Sequence, residues 1–162
     1  MRSLSILIAL GSLATMLGAQ THAQDLAETA RVVFVCEHGS VKSLVAMEYF
    51  NRRAKARGMP YRAVARGAAP ESTVPKAVRD GLSSDGFDVS VFEPRKFEAS
   101  DVDRASLVVS FDQDVASIVG AQTPYLKWDD LPGVLTDYTR GKDEIVRHVD
   151  ALIDELARGK SP

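Results

Sequence analysis

The chain has 162 residues, of which 45% are hydrophobic, and its formal net charge at pH 7 is −2. This small negative charge argues against nonspecific binding to nucleic acid or to anionic membrane surfaces. The length suits one domain with its own hydrophobic core, and the sequence shows no repeat, low-complexity tract or long linker that would divide it.

The first 23 residues have the pattern of a secretory signal peptide. A single basic residue precedes an uncharged stretch over residues 4–18, and small residues at positions 21 and 23 suit cleavage after Ala23. The apolar core is shorter than the ~20 residues that span a bilayer, which favours cleavage over a retained membrane anchor. We therefore predict a signal peptide over 1–23 and a single periplasmic or secreted domain over 24–162, with no stable membrane insertion after cleavage.

A strand-to-helix turn follows, and it contains the only cysteine of the chain. Residues 32–35 form an apolar, β-branched run typical of a buried strand, whereas apolar residues recur at helical spacing from Val41 to Tyr49. Backbone N–H groups of such a turn, and of the first helical turn after it, can converge on one point and make it positive. We therefore expect Cys36 to ionise easily there, with Ser43 donating a hydrogen bond to the thiolate.

The segment from Cys36 to Ser43 resembles the phosphate-binding loop of low-molecular-weight protein tyrosine phosphatases and their arsenate reductase relatives. The signature of that family is C-x5-R-S, and this chain has C-x5-K-S. The resemblance implies that Cys36 is the nucleophile, that Ser43 supports the thiolate, and that the residues between them bind the substrate: Glu37, His38, Gly39, Ser40, Val41 and Lys42. Because Lys42 replaces arginine, a point charge stands where the family has a planar fork that binds two oxygens at once.

A lone cysteine after an apolar strand is more often a packed, inert thiol. The strand, the fixed spacing to Lys42 and Ser43, and the following helix occur together here, which favours the nucleophile. Since the chain has one cysteine, it can form no internal disulfide and run no intramolecular thiol relay. Any redox cycle would therefore need an external thiol.

Three elements are predicted next: a helix over 41–57, a strand over 61–67, and a short helix opened by Pro75. The resemblance places the small residues after the second strand beside the cysteine loop, where Arg66 either adds positive charge or lies on the surface. The alternation over 87–92 predicts a further strand or extended edge.

The remaining pattern predicts a buried strand over 107–111, a helix over 112–119, a short strand over 125–128, and a closing helix from about 143 to 156. Asp112 is interpreted first as a cap of the second of these elements and second as a site residue. Tyr125 and Trp128 are predicted to pack in the core.

The resemblance implies a proton donor on the loop after the fourth strand, usually an aspartate directly before proline. Here Leu131 separates Asp130 from Pro132. Asp130 is the preferred acid, and Asp129 and Asp137 are alternatives. Aspartate, proline and glycine also favour turns, so a purely structural role stays open.

Strands alternate with helices, which predicts a three-layer α/β sandwich with a parallel sheet and a ligand site at the carboxyl ends of its strands. The resemblance implies four strands in the order 2-1-3-4 and hydrolysis of phosphate monoesters through a phosphocysteine. Two alternatives stay open: arsenate reduction with an external thiol, and an oxyanion-binding protein without catalysis. No cofactor is expected, and the three histidines lack metal-ligand spacing.

Overall fold

The computed structural model describes residues 29–159, so the predicted signal peptide lies outside the described residues. The elements follow in chain order: β1 (Ala30–Cys36), α1 (Lys42–Ala56), β2 (Tyr61–Gly67), α2 (Lys76–Ser84), α3 (Ala99–Val102), β3 (Ala105–Phe111), α4 (Ala116–Val119), β4 (Tyr125–Trp128) and α5 (Tyr138–Ala157). Within residues 29–159, no helix combines the length and the apolar character needed to cross a bilayer.

Four parallel strands form one sheet in the order β2-β1-β3-β4, as predicted. β1 is central, and its apolar residues from Val32 to Val35 are fully buried because helices cover both faces of the sheet. One core cluster joins α1, α2 and α5 to the sheet, and a smaller cluster on the other face includes Phe97, Val115 and Val119. The three-layer α/β prediction is therefore confirmed.

Three sequence-based boundaries were wrong. Residues 87–92 form no strand: a turn lies at Ser90 and Val91, where the Asp88 carboxylate accepts the N–H of Ser90 at 3.0 Å and bends the chain, and the rest of the segment is irregular. The helix predicted over 112–119 is confined to α4, and Asp112 does not cap it. The last helix begins at Tyr138 because the Asp137 carboxylate accepts the N–H of Arg140 at 3.0 Å.

An aromatic cluster lies beneath the carboxyl ends of β1 and β3. Trp128 contacts Phe34 and Phe111 with ring centroids 5.8 and 5.5 Å away, so its predicted place in the core is confirmed. These rings form a rigid floor for the loops that follow the strands.

Candidate active site

The loop after β1 directs two polar groups at the sulfur of Cys36. The N–H of Gly39 donates to Sγ at 3.3 Å, and the Oγ of Ser43 lies 3.1 Å from the same atom. Ser43 is fully buried and Cys36 is only 4% exposed. Both contacts suit a sulfur that carries negative charge.

Glycine is required at position 39 for two reasons. Its φ is +69°, a left-handed conformation that other residues rarely adopt. In addition, a Cβ there would lie 2.8 Å from the backbone nitrogen of Gly67, the last residue of β2. The cysteine loop therefore packs directly on the end of β2.

The chain after β2 binds the carbonyl groups of the cysteine loop. The N–H of Ala68 donates to the carbonyl of Cys36 at 2.9 Å, and the N–H of Ala69 donates to the carbonyl of Glu37 at 2.8 Å. The carbonyl of His38 accepts from the N–H of Glu71 at 3.2 Å. These contacts confirm that the small residues after β2 lie beside the loop, and they turn its carbonyl groups away from the sulfur.

The N-terminus of α1 is open at the same place. Val41 is the N-cap residue, no side chain among the described residues caps it, and the first turn contains no acidic residue. Because the N–H groups of a first helical turn have no acceptor within the helix, they are available to an anion.

A cavity of about 230 Å³ opens above Cys36. Residues of the cysteine loop, of the turn after β3 and of the loop after β4 line it: Cys36, Glu37, His38, Val41, Lys42, Phe111, Asp112, Gln113, Gly133, Val134 and Leu135. Its walls combine apolar side chains with one lysine and two carboxylates. Such a cavity suits an oxyanion attached to an apolar group.

Lys42 connects the three loops around the cavity. Its ammonium donates to Oδ2 of Asp112 at 2.5 Å and to the carbonyl of Leu131 at 2.9 Å. The side chain of Lys42 is 15% exposed, whereas that of Asp112 is 43% exposed. The lysine thus lines the cavity, as a substrate-binding residue should, but it is already paired with a carboxylate.

Asp112 lines the cavity, whereas the sequence favoured a helix cap and kept a place in the site as the second alternative. Strand β3 lies next to β1, with Ser110 level with Val35, so the residue after β3 reaches the cysteine loop. The backbone of Asp112 has φ +52°. The Oγ of Ser110 donates to the carbonyl of Gln113 at 2.7 Å, and this hydrogen bond holds the turn that contains Asp112. A polar residue just past a buried strand was the available signal, but the helical pattern that follows favoured a cap.

The three aspartates predicted as candidate acids do not line this cavity. Asp130 contributes to a separate surface depression, although its N–H donates to Oδ1 of Asp112 at 3.1 Å. Asp129 pairs with Lys127 at 3.1 Å, and Asp137 caps α5. Among the described residues, the carboxylates that line the cavity belong to Glu37 and Asp112.

Glu71 contacts the outer side of the cysteine loop. The sequence did not predict this contact. Its carboxylate accepts from the Oγ of Ser40 at 3.3 Å and lies 3.5 Å from Nδ1 of His38. The other ring nitrogen of His38 lies 3.8 Å from Glu37, whose side chain is largely exposed at the rim. Ser40 is therefore directed away from the sulfur, and its part in binding would come from its backbone.

Arg66 does not reach the cavity, because its guanidinium pairs with the buried Asp101 at 2.8 Å. Neither alternative describes Arg66, since its side chain is only 18% exposed and lies in this largely buried ion pair. Within the part of the chain that the structure describes, no group of three His, Cys, Asp or Glu residues could hold a metal ion.

Comparisons with solved structures support the same fold. The crystal structure of YfkJ from Bacillus subtilis is 14% identical, with a TM-score of 0.72 over 82% of this chain and 98% of that one. A low-molecular-weight protein tyrosine phosphatase from T. tengcongensis is 20% identical, with a TM-score of 0.64 over 80% of this chain and 99% of that one. An arsenate reductase from Archaeoglobus fulgidus is 25% identical, with a TM-score of 0.60 over 76% of this chain and 99% of that one.

A comparison with curated protein sequences finds no significant match. The family model described as low molecular weight phosphotyrosine protein phosphatase matches residues 31–154. That range covers every strand of the sheet, the cysteine loop and most of α5. The chain therefore belongs to the low molecular weight phosphotyrosine protein phosphatase family.

Proposed function

We propose that this protein is an exported phosphatase that hydrolyses phosphate monoesters through a phosphocysteine on Cys36. The observation that carries the proposal is the environment of the Cys36 sulfur. It accepts from the Gly39 N–H, lies beside the Ser43 hydroxyl, and faces a cavity at the uncapped N-terminus of α1. This combination places a nucleophile directly beside an anion-binding site.

In the proposed reaction, the sulfur of Cys36 attacks phosphorus and the bond from phosphorus to the leaving oxygen breaks. The leaving oxygen takes a proton as it departs. Water then attacks the phosphocysteine, the S–P bond breaks, and inorganic phosphate is released with the sulfur restored. Loop N–H groups and the Lys42 ammonium hold the phosphoryl oxygens, while Ser43 stabilises the sulfur as it leaves phosphorus.

Asp112 is the proton donor in this proposal. It lines the cavity with Cys36, whereas Asp130 lies outside it and contacts Asp112 only through its backbone N–H. A proton donor must come within hydrogen-bond reach of the leaving oxygen. The same carboxylate would accept a proton from the attacking water in the second step.

The first test is hydrolysis of an aryl phosphate by the wild type and by Cys36→Ser and Cys36→Ala. We expect both variants to lose at least about a thousandfold in turnover, because the nucleophile is gone. Since the chain has one cysteine, rapid quenching should trap phosphate at a single sulfur, which mass spectrometry can locate. Wild-type turnover in Cys36→Ser would refute the mechanism. Phosphate binding without turnover in the wild type would remove the phosphatase and leave arsenate reduction or an oxyanion-binding role.

The second test separates the two candidate acids. Asp112→Asn and Asp130→Asn are compared on aryl phosphates whose leaving groups differ in basicity. Loss of a proton donor lowers turnover most for a substrate with a basic leaving group and least for one whose leaving group departs without a proton. We expect this dependence in Asp112→Asn, and a roughly uniform effect of less than about twofold in Asp130→Asn. The reverse pattern would return the role to Asp130.

The second candidate function is arsenate reduction, which the single cysteine makes dependent on an outside thiol. Cys36 would attack arsenate and release water, and an external thiol would then attack the Cys36 sulfur. The S–As electron pair would stay on arsenic to give arsenite, leaving a mixed disulfide that a second external thiol reduces. Arsenite formation that requires both arsenate and added thiol would identify this activity, whereas no arsenite under those conditions would exclude it.

Export belongs to the proposal as well, and it depends on the sequence pattern of residues 1–23. The full chain is expressed in a Gram-negative host, and the N-terminus of the product is sequenced from periplasmic and cytoplasmic fractions. We expect a periplasmic product that begins at Gln24. A cytoplasmic product that retains residues 1–23 would contradict export.

A further inference from the structure

The Lys42 ammonium has three protons to donate, and two of them are already used. One goes to the carboxylate of Asp112 and one to the carbonyl of Leu131. An arginine at the same position would have five N–H donors, enough to keep such contacts and still bind an anion with two more. With lysine, a phosphoryl group at the cavity and Asp112 must share the same small cation.

The electrostatic balance of the cavity makes this sharing unfavourable. The charge of Lys42 is compensated by Asp112, and Glu37 adds a further negative charge at the rim. A phosphoryl dianion that entered while Lys42 stayed on Asp112 would face these carboxylates with no other lysine or arginine among the described lining residues to offset them. The Lys42–Asp112 pair is open to solvent on the Asp112 side, and an ion pair of that kind is easily exchanged.

We propose that Asp112 competes with the bound oxyanion for Lys42, so that substrate binding exchanges the partner of this lysine. The proposal deepens the proposed function, because it describes how the same site accepts a phosphoryl group. In the resting state, Asp112 holds Lys42 and neutralises it. When the oxyanion binds, the ammonium turns from Oδ2 of Asp112 to the phosphoryl oxygens. The freed carboxylate then takes up a proton from solvent and passes it to the leaving oxygen.

The exchange predicts opposite effects of one substitution on binding and on turnover. Asp112→Asn removes the competing negative charge and also removes the proton donor. Inorganic phosphate should therefore bind more tightly, while kcat for a basic leaving group should fall. A residue that only maintains the fold would weaken both. Asparagine is the appropriate replacement because it tolerates the left-handed backbone at position 112.

The decisive experiment is calorimetric titration of inorganic phosphate at constant pH and ionic strength. We expect phosphate to bind Asp112→Asn roughly threefold to tenfold more tightly than the wild type, as for removal of one partly exposed charge-assisted contact. Asp130→Asn is the matched control, since it removes a carboxylate at another left-handed position that lies outside the cavity. It should change the affinity by less than about twofold.

The double variant Lys42→Met/Asp112→Asn tests whether the effect passes through the lysine. On the Lys42→Met background, Asp112→Asn should no longer tighten phosphate binding. Equal tightening with and without Lys42, an equal effect of Asp130→Asn, or weaker binding in Asp112→Asn would each overturn the exchange. The titration needs no turnover. If Asp112→Asn binds phosphate more tightly while the wild type shows no hydrolysis, the exchange is supported and the phosphatase proposal is removed. If the wild type hydrolyses phosphate esters but Asp112→Asn binds phosphate no more tightly, only the exchange is removed.

Discussion

The loop after β1 and the turns after β3 and β4 meet at one cavity, but different forces hold them. The β1 loop is fixed by backbone hydrogen bonds to residues 68–71 and by the contact of Gly39 with Gly67. The two turns contain aspartates with positive φ, Asp112 and Asp130, and are tied to the rest of the site by the Lys42 side chain.

This difference divides the site into a rigid part, the β1 loop, and an exchangeable part, the ion pair between Lys42 and Asp112. A buried loop held by main-chain contacts moves only if the sheet edge beside it moves. A half-exposed ion pair costs little to break and reform. The nucleophile is therefore set rigidly, whereas the charge that meets the substrate can change its partner.

The largest expected effect comes from breaking the rigid part with Gly39→Ala. A methyl group would meet backbone atoms of Gly67 at 2.8 Å in a left-handed conformation, so we expect a loss of about 2–4 kcal/mol in unfolding free energy. Phosphate binding should disappear with it. Gly58→Ala is the control, because its φ is +61° and no described atom lies within 4 Å of the added Cβ. It should cost about 1 kcal/mol. Urea unfolding measures both, and equal costs would show that packing on Gly67 is unimportant.

A smaller effect is expected when the loop keeps its shape but loses one contact to the sulfur. Ser43→Ala should lower turnover by about tenfold to hundredfold, since the hydroxyl 3.1 Å from Cys36 no longer stabilises the leaving sulfur. Ser40→Ala removes another fully buried hydroxyl of the loop, which bonds to Glu71 instead. Steady-state kinetics should therefore show a much smaller loss for Ser40→Ala. Equal losses would indicate a general loosening of the loop.

The smallest expected effect is a gain in activity, and it comes from a change of Lys42 in the exchangeable part of the site. Lys42→Arg should raise kcat/KM about tenfold, or ~1.4 kcal/mol, because a guanidinium that has turned from Asp112 to the substrate can bind two phosphoryl oxygens at once. The same assay applied to Lys42→Met should give a loss. If Lys42→Arg also loses activity, the turns after β3 and β4 are shaped around lysine, and the cavity cannot accept the longer side chain.

The sequence predicted the rigid part far better than the exchangeable part. The strand, the spacing from Cys36 to Ser43 and the helix are local features, and the strand order followed from the family resemblance. The contact between Lys42 and Asp112 joins residues 70 positions apart, and no local pattern indicates it. The Asp137 cap of α5 was readable by capping rules, whereas the inward position of Asp112 depends on a left-handed backbone that aspartate does not require.

The span of the Lys42 contacts also has a consequence for folding. Lys42 joins partners 70 and 89 residues away, and β1 pairs with β3 only after the chain has passed through β2. Such long-range pairings close large loops and form late in folding. The anion site is therefore complete only when the whole sheet is complete, so a newly synthesised chain would acquire its ligand, and the stabilisation that comes with it, at the last step of folding.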